Sequence, residues 1–131
     1  MNQLIEFAYK VADKMLKEID KYEKTHSYHA YIVRLKILVI ELLQQLYLAS
    51  RSYDDVERLR EHLSIIYRNA DMVAEMNTML KRTSEQNYDL DVKSLQETLT
   101  LLVPYVVQKY GKFTALYIVT PGFQQKSQVW S

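Results

Sequence analysis

The chain of 131 residues carries 17 basic and 16 acidic side chains, a net charge of +1, with 48% apolar and 25% charged residues. That balance belongs to a single globular domain with a sizeable core; it excludes a disordered chain and one held on nucleic acid by bulk charge, while leaving room for a local basic stripe. There is no cysteine, which excludes disulfides, zinc–thiolate sites and thiol nucleophiles.

Only two glycines and two prolines occur, and both glycines lie beyond residue 110, so long helices are favoured over a turn-rich sheet. Glu6 interrupts the apolar start and no basic region precedes it, so no signal peptide is expected. The charge-free stretches 98–108 and 113–125 are shorter than the roughly 18 residues a membrane span needs. The chain reads as cytoplasmic, with no membrane contact.

The first helix is predicted over residues 3–24. Leu4, Ala8, Val11, Met15, Ile19 and Tyr22 recur at steps of three or four and form an apolar face. Lys10, Lys14, Lys17, Lys21 and Lys24 recur at the same steps on the opposite face. Thr25-His26-Ser27-Tyr28 breaks the pattern and offers capping groups to a second helix over 28–50. That helix is apolar nearly all round, from Ile32 and Val33 through Ile37, Leu38, Val39 and Ile40 to Leu46 and Leu48. Such a helix must be covered on several sides, by its own chain or by another subunit, so homo-oligomerisation is expected.

Ser52 reads as the N-cap of a third helix, with Asp54 and Asp55 against its positive end; the helix runs to about residue 82 and buries Val56, Leu59, Leu63, Ile66, Tyr67, Ala70, Val73, Met76, Met79 and Leu80. Residues 83–91 are polar and read as a loop. A fourth helix from about residue 91 uses Leu95, Leu99, Leu102, Val106 and Val107, with Pro104 expected to kink or end a section of it. Gly111 reads as a helix stop. Phe113 to Val119 is apolar and open between helix and strand, and Thr120-Pro121-Gly122 signals a turn. The expected fold is all-α, an antiparallel four-helix bundle over residues 1–119 with a C-terminal tail over 120–131.

The chemistry-bearing patterns are sparse. Neither glycine belongs to a phosphate-binding loop, and no Gly-x-Ser-x-Gly elbow is present. A di-iron bundle needs two Glu-x-x-His pairs, whereas Glu23-Lys24-Thr25-His26 is the only one and falls at a helix end. His26 and His29 are two weak ligands near a helix start, and His62, among Arg58, Arg60 and Glu61, reads as a solvated helix residue. No catalytic residue, metal site or cofactor is expected, and the chain reads as a non-enzyme.

Binding is the better reading. The five lysines of the first helix span an arc of roughly 80° and about 20 Å of helix, a row able to meet successive phosphates. The competing reading is a self-paired solvated face, because Glu6/Lys10, Asp13/Lys17 and Asp20/Lys24 are acid-before-base pairs at i,i+4. Nucleic-acid contact is assigned to Lys10, Lys14, Lys17, Lys21, Arg58, Arg60 and Arg68. The eleven tyrosines suit either base stacking or protein interfaces, or simply boundary positions with a buried ring and a wet hydroxyl. Phe123 and Trp130 are assigned to partner docking through a tail that orders on binding.

Lys24-Thr25-His26-Ser27-Tyr28, Leu42-Leu43-x-x-Leu46-x-x-Ala49-Ser50-Arg51, Leu59-Arg60-x-x-Leu63 and Arg68-x-Ala70-Asp71 stand in an arrangement that resembles a family of small four-helix proteins. These are the accessory variability proteins of diversity-generating retroelements, themselves similar to ribosomal-RNA intervening-sequence proteins. The likeness covers roughly residues 10–110 as a pattern of helix lengths and loops. It implies a pentameric barrel with a basic surface that binds a reverse transcriptase and its RNA or DNA. The chain departs from the family in its near-neutral charge, and in carrying Pro104-Tyr105 and Gly111-Lys112-Phe113 where a Gly-Gly-Trp-like ending is usual. The leading expectation is a non-catalytic, oligomeric accessory protein that binds nucleic acid or a nucleic-acid enzyme. The alternative is a protein–protein adaptor or regulatory module without nucleic-acid contact.

Overall fold

In a computed structural model the described residues form six helices: α1 (Asn2–Glu23), α2 (His29–Arg51), α3 (Val56–Thr83), α4 (Lys93–Tyr110), α5 (Lys112–Ile118) and α6 (Pro121–Gln124). The structure describes residues 1–24, 29–83, 90–127 and 129–130, with the side chain of His29 outside that description. The expected capping segment Thr25 to Tyr28, together with His26 and most of the polar loop before α4, lies outside the described residues. The all-helical expectation holds, with four long helices. α1 packs along α2 and α4, α2 along α3, and α5 lies against both α3 and α4.

The periodicity of α1 produces the expected two faces, rotated slightly from the sequence reading. Ile5, Ala8, Ala12, Met15 and Ile19 are buried, while Leu4, Val11 and Tyr22 form the half-buried margin. The two alanines lie on the packed side, where a small side chain lets neighbouring backbones approach. α2 differs more. It buries Ile32, Leu35, Leu38, Val39, Leu42, Leu46 and Ala49, but Ile37, Ile40 and Leu48 remain exposed. Its surplus apolar surface is thus left uncovered by the rest of the chain.

The start of α3 is capped by Asp55, and Ser52 does not fill the expected role. The Asp55 carboxylate accepts the backbone N–H of Arg58 at 3.2 Å, and Ser52 instead receives the Asp55 N–H on its carbonyl at 2.9 Å. A carboxylate at this position meets both an orphan donor and the positive helix end, which a serine hydroxyl does less strongly. Val56, expected in the core, is 48% exposed because it occupies the first turn beside this cap. Met79 is likewise exposed and Met76 only half-buried.

α4 runs through Pro104 to Tyr110 and neither stops nor divides there. Pro104 is on the exposed side, where the backbone carbonyl left without its N–H partner can meet water. Gly111 does end the helix: its N–H donates to the Val107 carbonyl at 2.8 Å, and its φ of +85° is one that L side chains adopt at a cost. The segment left open between helix and strand is the helix α5. Ala115 and Ile118 face inward and fix it to the rest of the fold.

Phe123 is the clearest correction. The sequence reading placed it in a docking tail, but it is 1% exposed and its ring meets Tyr67 edge-to-face at 5.1 Å. The turn at Thr120-Pro121 starts α6 and drives Phe123 back into the core, so the ring is occupied within the chain and unavailable to a partner. Trp130 is half-buried, with its indole N–H donating to the Gln124 carbonyl at 3.1 Å. Gln124 in turn donates to the Val119 carbonyl at 2.7 Å, so the last described residues fold onto the end of α5.

Tyr67 is fully buried and its hydroxyl donates to the Leu99 carbonyl at 2.7 Å, tying α3 to α4. Burial raises its pKa far above the ordinary value of 10.0, so the ring stays neutral in the fold. In the unfolded chain the same phenol ionises near pH 10. Its contribution to stability is therefore complete below that pH and is lost as pH rises above it. Tyr67→Phe is expected to lower stability at neutral pH by about 1 kcal/mol in a urea titration and to flatten part of the alkaline fall. Phe123→Ala should cost about 3 kcal/mol or more; a midpoint unchanged from wild type would place the ring outside the cooperative core.

Candidate functional site

Lys10, Lys14, Lys17 and Lys21 all project from the exposed face of α1. Their predicted self-pairing is realised only in part. Lys17 meets Asp13 at 3.3 Å, with both side chains well exposed, an interaction of little strength in water. Asp20 turns away from its expected partner Lys24 and meets Lys36 of α2 at 2.8 Å, where Glu23 joins at 3.0 Å. The hydrogen bonds from Asp20 and Glu23 hold the Lys36 ammonium above its usual pKa. Two carboxylates of α1 thus converge on one cation of α2, so Asp20 and Glu23 serve helix packing. Among the described residues Lys10 and Lys14 have no carboxylate within ion-pair distance.

Lys10 and Lys14 border a cleft between α1 and the start of α4, with Phe7, Val11, Met15 and Leu90 as its apolar lining. Asp91 stands on the far rim. Its carboxylate accepts the Ser94 hydroxyl at 2.8 Å and the Ser94 backbone N–H at 3.3 Å, which hold it below the usual carboxylate range. Asp91 thereby supplies the opening turn of α4 with its acceptor.

The arginines lie elsewhere. Arg58 is paired with Asp55 at 3.6 Å and Arg60 with Glu57 at 3.5 Å, both exposed. Arg60 and Arg68 border a groove of about 680 Å³ between α3 and α5, lined also by Ser64, Ile65, Phe113 and Tyr117. The structure therefore divides the seven predicted cations. Two lysines share a cleft on α1, two arginines share a groove on α3, and these helices are not close neighbours.

The α3–α5 groove contains the residues that sequence reasoning passed over. Phe113 and Tyr117 are each 76% exposed, one helical turn apart, with ring centroids 5.8 Å apart in an edge-to-face pair. Leu116 beside them is also exposed. Two large aromatic rings held this open on a short helix form a rigid apolar surface, with Arg68 unpaired at its edge among the described residues. The sequence signal was the i,i+4 aromatic spacing in the charge-free stretch after Gly111, visible once that stretch is known to be helical.

Acid–base or metal chemistry has few constituents. His62 is half-buried, and its Nδ1 lies 2.7 Å from Oε1 of Gln45 on α2, so it is a contact between helices and not the solvated residue expected. Glu23, half of the one Glu-x-x-His pair, is engaged with Lys36. Among the described residues no group of three or more histidine or acidic side chains is placed to hold a metal ion. No helix among them is long and apolar enough to cross a membrane.

No family model, curated protein or solved structure matches this chain. The Asp91–Ser94 arrangement carries a pH consequence of its own. Because the folded carboxyl titrates below its unfolded value, its contribution is present above the ordinary carboxylate pKa and is lost as pH falls through the folded one. Ser94→Ala should shift the acid-unfolding midpoint upward, measured by circular dichroism. An unchanged midpoint would remove Asp91 from the acid response.

Proposed function

We propose that the chain is a non-catalytic accessory protein that acts by binding a nucleic-acid enzyme, and that its four long helices form an antiparallel four-helix bundle. The short connections support the antiparallel order. Residues 24–28 and 52–55 join helices that pack side by side, and so few residues allow only a reversal of direction.

The observation that carries the binding reading is the exposed Phe113–Tyr117 pair with Arg68 at its edge. Aromatic and arginine side chains dominate the energetics of protein interfaces, and exposed rings of this size on a fixed helix are costly unless covered by a partner. The resemblance to accessory proteins of diversity-generating retroelements supplies the class of that partner, a reverse transcriptase, and supports self-association of the chain. Phe123 and Trp130 take no part in docking in this reading, since the first is core and the second is bonded to Gln124.

Direct contact with RNA or DNA is a second reading, favoured by the unpaired Lys10 and Lys14 on α1. Lys17, Lys21, Arg58, Arg60 and Arg68 would add to it as outlying contacts. A protein–protein adaptor without nucleic-acid contact is what remains if that row meets no phosphate.

Two titrations separate these readings. In co-purification with a reverse transcriptase of the retroelement class, F113S/Y117S should weaken capture more than tenfold, on the order expected for two interface anchors, while K10E/K14E leaves it intact. Equal capture by wild type and F113S/Y117S would overturn the docking surface. Structured RNA and duplex DNA titrated at two salt concentrations test the second reading. Salt-sensitive binding lost in K10E/K14E supports phosphate contact, and no binding at low salt leaves protein partners alone.

A further inference from the structure

We propose that the outer face of α2 is a self-association surface that takes a second copy of this chain, with the two α2 helices antiparallel about a two-fold axis between Ile37 and Ile40. This rests on the self-association part of the reading above and gives it a place and a symmetry. Ala30, Val33, Ile37, Ile40, Gln44, Tyr47 and Arg51 follow one another at alternating steps of three and four along α2. That spacing is the seam of a helix paired with another helix. At the centre of the row Ile37 is 58% and Ile40 38% exposed, while toward its end Tyr47 borders Glu6, Tyr9 and Lys10 of α1 and its ring carries the Arg51 guanidinium at 5.1 Å.

An antiparallel pair centred on this axis sets Ile37 of each copy against Ile40 of the other, giving a core of four isoleucines. One layer outward, Val33 faces Gln44. At each end Ala30, the smallest side chain of the row, faces Tyr47, among the largest. Small against large at matched layers is what close packing of two identical surfaces requires.

The charges complete the match. Arg34 and Glu41 flank the seam on one edge, seven residues apart, both exposed, and neither has an ionic partner among the described residues. A two-fold antiparallel arrangement brings Arg34 of each copy beside Glu41 of the other, and does so twice. In a parallel pair the two Arg34–Glu41 edges would lie on opposite sides of the seam, and these charges could not reach each other. The unpaired charges therefore favour a second copy in the antiparallel sense, the one in which they meet.

Sedimentation velocity and light scattering on the full chain at micromolar concentration test this, with circular dichroism as the check on folding. Wild type should contain an even number of subunits. R34E should raise the dissociation constant about tenfold by turning two attractions into repulsions, and R34E/E41R should restore it to within about threefold. I37E/I40E should be monomeric with unchanged helix content, since both positions are exposed within one chain. A monomeric or pentameric wild type, or an R34E variant that associates as tightly as wild type, would overturn the pairing. Each of those results leaves the Phe113–Tyr117 surface untouched, because its own test reads partner capture and not subunit number.

Discussion

One buried phenol ties α3 to α4 across the interior of this fold. α3 and α4 have little direct backbone contact, and the space between them is filled from the C-terminal side by α5 and α6. Tyr67 reaches across that space, its hydroxyl on the Leu99 carbonyl and its ring against Phe123. A hydroxyl with no exposure must keep a partner, and a ring of that size leaves a large void if its neighbour is removed. This contact joins α4 to α3, and the packing of α4 along α1 supplies the rest of its placement. Tyr110 repeats the device at the other end of α4, donating to the Val56 carbonyl at 2.7 Å.

The surfaces divide along the same lines. α1 spends its acidic residues unevenly: Asp13 answers a lysine of its own face, whereas Asp20 and Glu23 are drawn to Lys36 of α2. What remains open on α1 toward the start of α4 is mixed, with Lys10 and Lys14 beside Glu18 and Asp91. On α2 the outer row is apolar with isolated charges, and on α5 it is aromatic. Three surfaces of different chemistry thus lie on one small domain.

Much of the architecture was legible because two periodic patterns coincide. In α1 the apolar and lysine rows predict the same helix independently, and both appear. Gly111 was readable as a stop because little else ends a helix so economically. Pro104 does not end a section of α4, because it stands on the exposed side of the helix, and period alone leaves that side open. Ser52 and Asp55 are both capping residues, and only the path of the chain decides between them. Phe123 was assigned to the surface because the residues after it are polar. Its burial depends on a partner more than fifty residues earlier in sequence, Tyr67. The groove between α3 and α5 was illegible for the same reason, since it joins Arg68 to Phe113 and Tyr117 across the fold.

Gly111 also has a geometric consequence. A Cβ there would meet nothing within 4 Å, so space places no demand for glycine at this position; the backbone angle does. That single torsion sets the heading of α5 relative to α4, and hence the direction in which two open rings look out from the molecule. Because Ala115 and Ile118 bury the other side of the same short helix, loss of that angle would disturb the interior and the aromatic surface together.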